Sequence, residues 1–164
     1  MVLGITTARE YREKTQADLE DLEEDIINSR YAINAVTSVY HLHEWLWSKN
    51  LKSSTTKQVL NPTTKKACTI SNLKLFKDWL DTNCPHFKLV QDLTNGSKHT
   101  FSPQAQSDEK VIGFGLGPYG VGPFGANYLL IDLGDDTEER YLVASDVISE
   151  AGKFMVDLSI SLGE

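Results

Sequence analysis

The side chains best suited to catalysis or ligand binding lie in one short segment near the middle of the chain. Within eight residues the sequence places a carboxylate, an amide, an ammonium group and an imidazole, at Asp92, Asn95, Lys98 and His99. If the segment is helical, Asp92, Asn95 and His99 are spaced i, i+3 and i+7 and share one face. Asp92 could then orient His99 as a general acid or base, which makes these two the candidate catalytic pair. The neighbouring donors could bind a phosphate, namely Asn95, Lys98 and Lys88.

The same segment also has a purely structural interpretation. Asp92 and Asn95 can bond to neighbouring backbone groups at a helix end, and Asn95-Gly96 is typical of a helix terminus. A helix that instead continues to His99 carries Gly96 at a cost of about 1 kcal/mol. The position of the helix end therefore decides whether this candidate site can form.

Two other patterns resemble known sites but lack a required feature. The segment Gly115–Gly125 matches G-x-G-x-x-G twice, but a strand is expected after it, whereas a dinucleotide site needs a helix N-terminus there. His41 and His43 would point about 200° apart on a helix, so they do not form a metal-binding pair. We therefore expect no metal and no cofactor.

Composition excludes several classes of protein. The chain has 164 residues, of which 40% are hydrophobic and 24% charged, as in an ordinary globular domain. No apolar run approaches the ~18 residues of a membrane-spanning helix. Two cysteines, Cys68 and Cys84, are too few for a disulfide framework. These features predict a cytoplasmic protein with reduced thiols and no membrane contact.

The net charge of −7 is unevenly distributed. Residues 1–50 carry 5 basic and 9 acidic residues, residues 51–110 carry 9 and 5, and residues 111–164 carry 2 and 9. An acidic surface binds nucleic acid poorly because phosphate neutralisation needs basic side chains. RNA contact is therefore expected only in the middle third, where the lysines also have the simpler interpretation of solvated side chains.

Hydrophobic periodicity predicts a bundle of four to five helices. Between Thr7 and Asn50 there is no Pro or Gly. Asn28-Ser29 is the expected break or cap between an outer helix and a more buried central one, and the alternative is one continuous rod through this point. In the later part of the chain, Ser71 is the expected cap of one helix, Pro85 the expected first residue of the next, and Ser145 or Asp146 the expected cap of the last. The segments 51–69 and 100–110 are expected to be exposed polar loops.

The composition after residue 110 predicts β-structure. Strands are expected at Val111–Phe114, Asn127–Leu133 and Glu139–Val143, and the last two should form a hairpin. The expected fold class is thus mainly α (α+β), a single domain over residues 1–164 with a small antiparallel hairpin or three-stranded sheet before the C-terminal helix. The predicted core includes Ile33, Val36, Tyr40, Trp47, Phe76, Trp79, Leu93, Leu130 and Phe154.

These elements together carry a resemblance to known helical proteins. A helix with SRYAINAVTSVYHLHEWLW, a helix ending in DLTNGSKH, a Gly-Pro turn, a hairpin and a closing helix resemble a group of uncharacterised small prokaryotic helical proteins. More distantly, they resemble the HEPN domains of toxin–antitoxin and phage-defence systems, which implies a helical bundle that commonly dimerises. Active HEPN ribonucleases have an Arg and a His a few residues apart near a helix end. His99 matches that histidine and Asn95 the polar residue between them, but Asp92, Leu93 and Thr94 stand where the arginine would.

Three functional hypotheses follow. The first is a HEPN-like, non-catalytic module of a prokaryotic or phage conflict system that acts as a homodimer or through a protein partner, as the missing arginine and the acidic charge favour. The second is a metal-independent endoribonuclease in which His99 is the acid/base, Asp92 orients it, and Asn95 and Lys98 contact phosphate. The third is a small-ligand-binding protein with its pocket beneath Gly115–Gly125.

Overall fold

The computed structural model describes residues 4–98, 106–111, 128–133 and 141–164, with backbone alone for residues 97, 98 and 106–111. The helices in these ranges are α1 (Ala8–Glu24), α2 (Ser29–Leu46), α3 (Leu73–Asn83), α4 (Phe87–Lys98) and α5 (Ala144–Ser161), and a π-helical turn at Trp47–Leu51 extends α2. The strands are β1 (Gln58–Leu60), β2 (Ala67–Thr69), β3 (Gln106–Val111), β4 (Tyr128–Asp132) and β5 (Tyr141–Val143). The predicted fold class is confirmed: the protein is mainly helical, with a small antiparallel sheet before its C-terminal helix.

The break between α1 and α2 lies where the sequence predicts it. Helix α1 begins with a capping box, in which the Thr7 side chain accepts from the Glu10 backbone N–H and Glu10 accepts from the Thr7 backbone N–H. Hydrogen bonds from the backbone of Thr6 and Thr7 lower the pKa of Glu10. Asn28 caps α2 by accepting from the Arg30 backbone N–H at 3.2 Å. The two helices are therefore separate elements that pack side by side.

Helix α2 is the centre of the bundle and packs against α1, α4 and α5. Of the predicted core residues, Val36, Tyr40, Phe76, Leu130 and Phe154 are buried. Trp47, Trp79 and Leu93 are half-buried at the edge of the core. The prediction for Ile33 is wrong, because this side chain is 46% exposed. None of the helices in the described ranges is both long and apolar enough to cross a membrane.

The segment 51–69 is not the structureless loop that its composition indicates. Leu51 is buried at the end of the π-helical turn, and β1 and β2 form a hairpin in which Val59 pairs with Cys68. The side chain of Asn61 is buried and accepts from the backbone N–H groups of Thr63 and Thr64 at 2.9 Å and 2.8 Å. This Asx turn directs the chain from one strand into the next.

The second predicted linker also contains a strand. Residues 106–110 belong to β3, which pairs antiparallel with β4, and β4 pairs with β5 in a three-stranded sheet of order β3-β4-β5. The expected β4–β5 pairing is thus confirmed. The expected strand at Val111–Phe114 coincides with β3 only at Val111, and residues 112–114 lie outside the described residues, as do the glycine-rich segment 115–125 and the 134–137 turn.

Three predicted helix starts are shifted by one to three residues. Helix α3 is capped by Asn72, whose side chain accepts from the Leu75 backbone N–H at 2.9 Å, and not by Ser71. Helix α4 begins at Phe87 because His86, with a φ of 56°, is left-handed and interrupts a helix starting at Pro85. Helix α5 begins at Ala144 directly after β5 and has no side-chain cap.

Candidate functional site

Helix α4, which carries Asp92 and Asn95, does not end at Gly96. It continues through Gly96 to Lys98, so Asp92 and Asn95 lie one turn apart on the same face. Lys88 lies one turn before Asp92 on the same helix. The structure thus brings together Lys88, Asp92 and Asn95, whereas it describes only the backbone of Lys98. His99 lies outside the described residues.

The carboxylate of Asp92 is engaged by a lysine of its own helix. Lys88 Nζ lies 3.1 Å from Asp92 Oδ1 and donates to Gln91 Oε1 at 3.1 Å. The Lys88 side chain is 63% exposed and that of Asp92 is 18% exposed. Two of the predicted site residues, Lys88 and Asp92, therefore form an ion pair with each other. The Lys88 ammonium group also donates to the Gln91 side chain.

Thr94 positions α4 against α2. Its hydroxyl is buried and donates to the Val36 carbonyl at 3.2 Å or to the Val90 carbonyl at 2.8 Å. Position 94 is one of the three at which the HEPN resemblance would place an arginine. Because this side chain faces α2 in the core, a guanidinium group here would be buried.

Tyr40 is the meeting point of three helices. Its ring is packed against Phe87, with ring centroids 5.7 Å apart, and its hydroxyl receives hydrogen bonds from Lys77 Nζ at 3.1 Å and Gln91 Nε2 at 3.0 Å. The residue is 7% exposed. The periodicity of α2 places Tyr40 in the core, and a buried phenol requires polar partners, but the sequence does not identify Lys77 and Gln91 as those partners.

The two histidines of α2 point in different directions, as their spacing predicts. His43 is buried, its Nδ1 contacts the Tyr40 carbonyl, and its ring meets Phe87 edge to face at 5.4 Å. His41 is partly exposed and lies 3.0 Å from Glu44. Burial lowers the pKa of His43, although the hydrogen bond to the Tyr40 carbonyl opposes this effect. His43 is thus a neutral core residue in the native protein at neutral pH.

This buried histidine predicts a loss of stability in mild acid. In the unfolded chain His43 takes up a proton as the pH falls through about 6.5, whereas the native side chain resists protonation until a lower pH. The free energy of unfolding should therefore fall with pH from about 6.5 down to the native pKa of His43. Urea unfolding at a series of pH values measures this slope. His43→Asn, which keeps an N–H donor but does not titrate, should reduce it, and an unchanged slope in this variant would contradict the prediction.

A second polar network joins α1 to α2. Lys14 Nζ lies 2.5 Å from Asp18 Oδ2 and donates to Ser38 Oγ at 2.7 Å, while Ser38 donates to Asp18. Nearby, Tyr11 stacks on Trp45, and burial raises the pKa of Tyr11 to about 12. A serine beside a lysine is a known nucleophile arrangement, but Ser38 is 1% exposed. The network therefore fixes the packing of the two helices.

Among the described residues, neither cysteine belongs to a disulfide or to a metal-binding cluster. Both are free, and Cys84 is buried next to the Ala151 carbonyl. Burial raises the pKa of the Cys84 thiol to about 12, which keeps it protonated and unreactive. Within the described ranges, no three His, Cys, Asp or Glu side chains lie close enough together to hold a metal ion.

One strip of α2 lies open on the surface. Ser38 contacts α1 and Tyr40 contacts α4, so side chains between these two directions on the helix point away from the core. We call this strip the α2 ridge, and it comprises Arg30, Ile33, Asn34, Thr37, His41 and Glu44. The side chain of Ile33 lies in it, and the Arg30 guanidinium lies 5.2 Å from the centre of the Tyr31 ring.

Comparison with known proteins assigns neither a family nor a function. No protein-family model matches the sequence, and no curated protein or solved structure matches it significantly.

Proposed function

We propose that the protein is a non-catalytic, cytoplasmic interaction module that works as a homodimer joined through the α2 ridge. The observation that carries the proposal is the exposed Ile33 within a strip that ends in opposite charges, Arg30 at one end and Glu44 at the other. Two free thiols, one of them buried, are typical of a reducing compartment. The sequence resemblance to HEPN-like modules of prokaryotic or phage conflict systems also implies a helical protein that commonly dimerises.

The spacing of the ridge fits a two-fold axis. Thr37 is half-buried and lies seven residues from both Arg30 and Glu44. If two α2 helices pack antiparallel with Thr37 at the axis, Arg30 faces Glu44 of the partner subunit at both ends of the contact. The two Arg–Glu pairs are then about 21 Å apart along the helix. The same symmetry places Ile33 against His41 of the partner subunit. One strip of residues therefore supplies both halves of a self-complementary interface.

Both charged ends are accessible to a partner. In the described part of the chain, Arg30 has no carboxylate within salt-bridge distance and its side chain is exposed. The Glu44 side chain is 52% exposed and contacts His41, which carries a charge only when protonated. A pair between Arg30 and Glu44 of the partner subunit would therefore form without displacing a strong ion pair.

Replacing Ile33 tests the ridge directly. Ile33→Ser should weaken the dimer by about 1.5 kcal/mol, or ~10-fold in Kd, because the apolar contact is lost in both subunits. Leu75→Ser is the matched control, since Leu75 is 45% exposed on α3 and lies outside the ridge. Sedimentation equilibrium over a concentration series measures both variants. A wild-type protein that stays monomeric, or a control that dissociates equally, overturns the proposal.

A second candidate function is the metal-independent ribonuclease. The observation in its favour is the continuous α4, which keeps Asp92 and Asn95 on one face up to Lys98. Cleavage of a labelled structured RNA in the presence of EDTA, lost in His99→Ala but retained in His86→Ala, would establish it. RNA left intact by the wild-type protein would exclude it. The small-ligand alternative depends on Gly115–Gly125, which lies outside the described residues.

A further inference from the structure

Three helices bring hydrogen-bond donors to one point beside Tyr40. The phenol comes from α2, the ammonium group of Lys77 from α3 and the amide of Gln91 from α4. Lys77 Nζ and Gln91 Nε2 lie 3.1 Å and 3.0 Å from the Tyr40 oxygen. The arrangement involves elements separated by up to 51 residues in the chain, so the packing of the bundle holds it in place.

The hydrogen-bond roles in this cluster are determined by chemistry. An ammonium group can only donate. Lys88 donates to Gln91 Oε1 at 3.1 Å, which orients the amide so that its NH₂ group faces Tyr40. The Tyr40 oxygen therefore accepts both hydrogen bonds, and its own proton must point elsewhere. None of the described side chains accepts that proton.

The cluster also carries surplus positive charge. Lys77 has no carboxylate within salt-bridge distance among the described residues, and its Nζ lies 5.6 Å from the centre of the Tyr40 ring. Lys88, the other nearby lysine, is paired with Asp92. The point beside Tyr40 thus has donors from three side chains and a cation without an ion-pair partner among the described residues, and none of the described side chains accepts the phenolic proton. This is the chemistry that recognises an oxyanion.

We propose that Tyr40, Lys77 and Gln91 form a binding site for a phosphate group, either inorganic phosphate or the phosphate of a small phosphorylated molecule. Lysine is a common phosphate ligand in proteins and binds the anion as a point charge. One phosphate oxygen accepts the phenolic proton of Tyr40. The remaining N–H groups of Lys77 and Gln91 donate to the other oxygens. This proposal goes beyond the proposed dimer, because neither depends on the other.

Titration of the full chain with phosphate tests the site. Two-dimensional NMR spectra recorded with inorganic phosphate, with O-phosphoserine and with chloride at equal ionic strength should show saturable shifts around residues 40, 77 and 91 for the phosphates only, with Kd in the ~1 mM range. Saturation by both compounds assigns free phosphate as a sufficient ligand, and saturation by O-phosphoserine alone assigns a phosphorylated small molecule.

Matched variants separate the site from general attraction of anions. Lys77→Met, which keeps the apolar stem, should weaken binding about tenfold or more, as should the isosteric Gln91→Glu. Lys74→Met, on the preceding turn of α3 and exposed, should bind like the wild-type protein. Thermal unfolding of each variant shows that it is folded. The proposal is overturned if the shifts do not saturate with either phosphate compound, or if Lys74→Met loses as much affinity as Lys77→Met. It is also overturned if a short RNA without terminal phosphates binds while neither small compound does.

Discussion

Replacement of Phe87 by alanine should lower the free energy of unfolding by about 3–5 kcal/mol. Phe87 is 1% exposed, is the first residue of α4 and contacts the rings of both Tyr40 and His43. Its removal would leave a cavity where α2 and α4 meet, and neither ring can fill that cavity without losing its hydrogen bond. We therefore expect the fold and the Tyr40 cluster to weaken together.

Urea unfolding measures this loss, and Leu75→Ala provides the control. Leu75 is also apolar but 45% exposed on α3, so its truncation should cost less than about 1 kcal/mol. In the NMR spectrum of Phe87→Ala, shifts should extend to the backbone of Tyr40 and Gln91. Equal losses in the two variants would mean that the α2–α4 contact does not contribute more to stability than a surface side chain.

Reversal of the charge at either end of the α2 ridge should dissociate the proposed dimer. Arg30→Glu replaces two attractive contacts with two repulsive ones, because each pair occurs twice across a two-fold axis. The expected effect is about 2–3 kcal/mol, or ~30- to 150-fold in Kd. Glu44→Arg should have a similar effect. The double variant should recover most of the affinity, since each glutamate then faces an arginine again.

Recovery in the double variant is the result that distinguishes a specific contact from a general effect of net charge. Lys153→Glu makes the same change in net charge as Arg30→Glu at an exposed position of α5, and it should leave the dimer intact. Sedimentation equilibrium at two salt concentrations should also show the wild-type dimer weakening at the higher salt. Failure of the double variant to re-form a dimer would exclude the antiparallel arrangement about Thr37.

Much of the fold can be predicted from local sequence because the signals concerned act within one helix. Asn28 is an effective cap in any context, and the stripe of apolar residues in α2 is wide enough to identify the most buried helix. The divergence of His41 and His43 follows from helix geometry alone. These predictions need no knowledge of which elements pack together.

The incorrect predictions concern features that other parts of the chain determine. Strands β1 and β2 have three residues each, which is too short for alternation to be recognised. Strand β3 is polar, and it is the pairing with the buried β4 that makes it a strand. Ile33 continues the apolar spacing of α2, but it points in a direction in which none of the described elements covers this helix.

The candidate site was predictable only in part for the same reason. The relation between Lys88, Asp92 and Asn95 is a property of a single helix, so spacing finds it once the helix is known to pass Gly96. The convergence of Lys77 and Gln91 on Tyr40 involves three helices. The only sequence signal for it was indirect, namely that a tyrosine placed in a core must find partners for its hydroxyl.

The buried thiol of Cys84 can report local opening of the helical bundle. This thiol is 4% exposed beside the Ala151 carbonyl, whereas Cys68 is half-buried on β2. An alkylating reagent can therefore reach Cys84 only in molecules whose α3–α4 connection has separated from α5. When closing is fast, the rate of modification is proportional to the population of that open form. The rate of Cys84 modification thus measures local opening of the native protein near the start of α4, the helix that holds the candidate site.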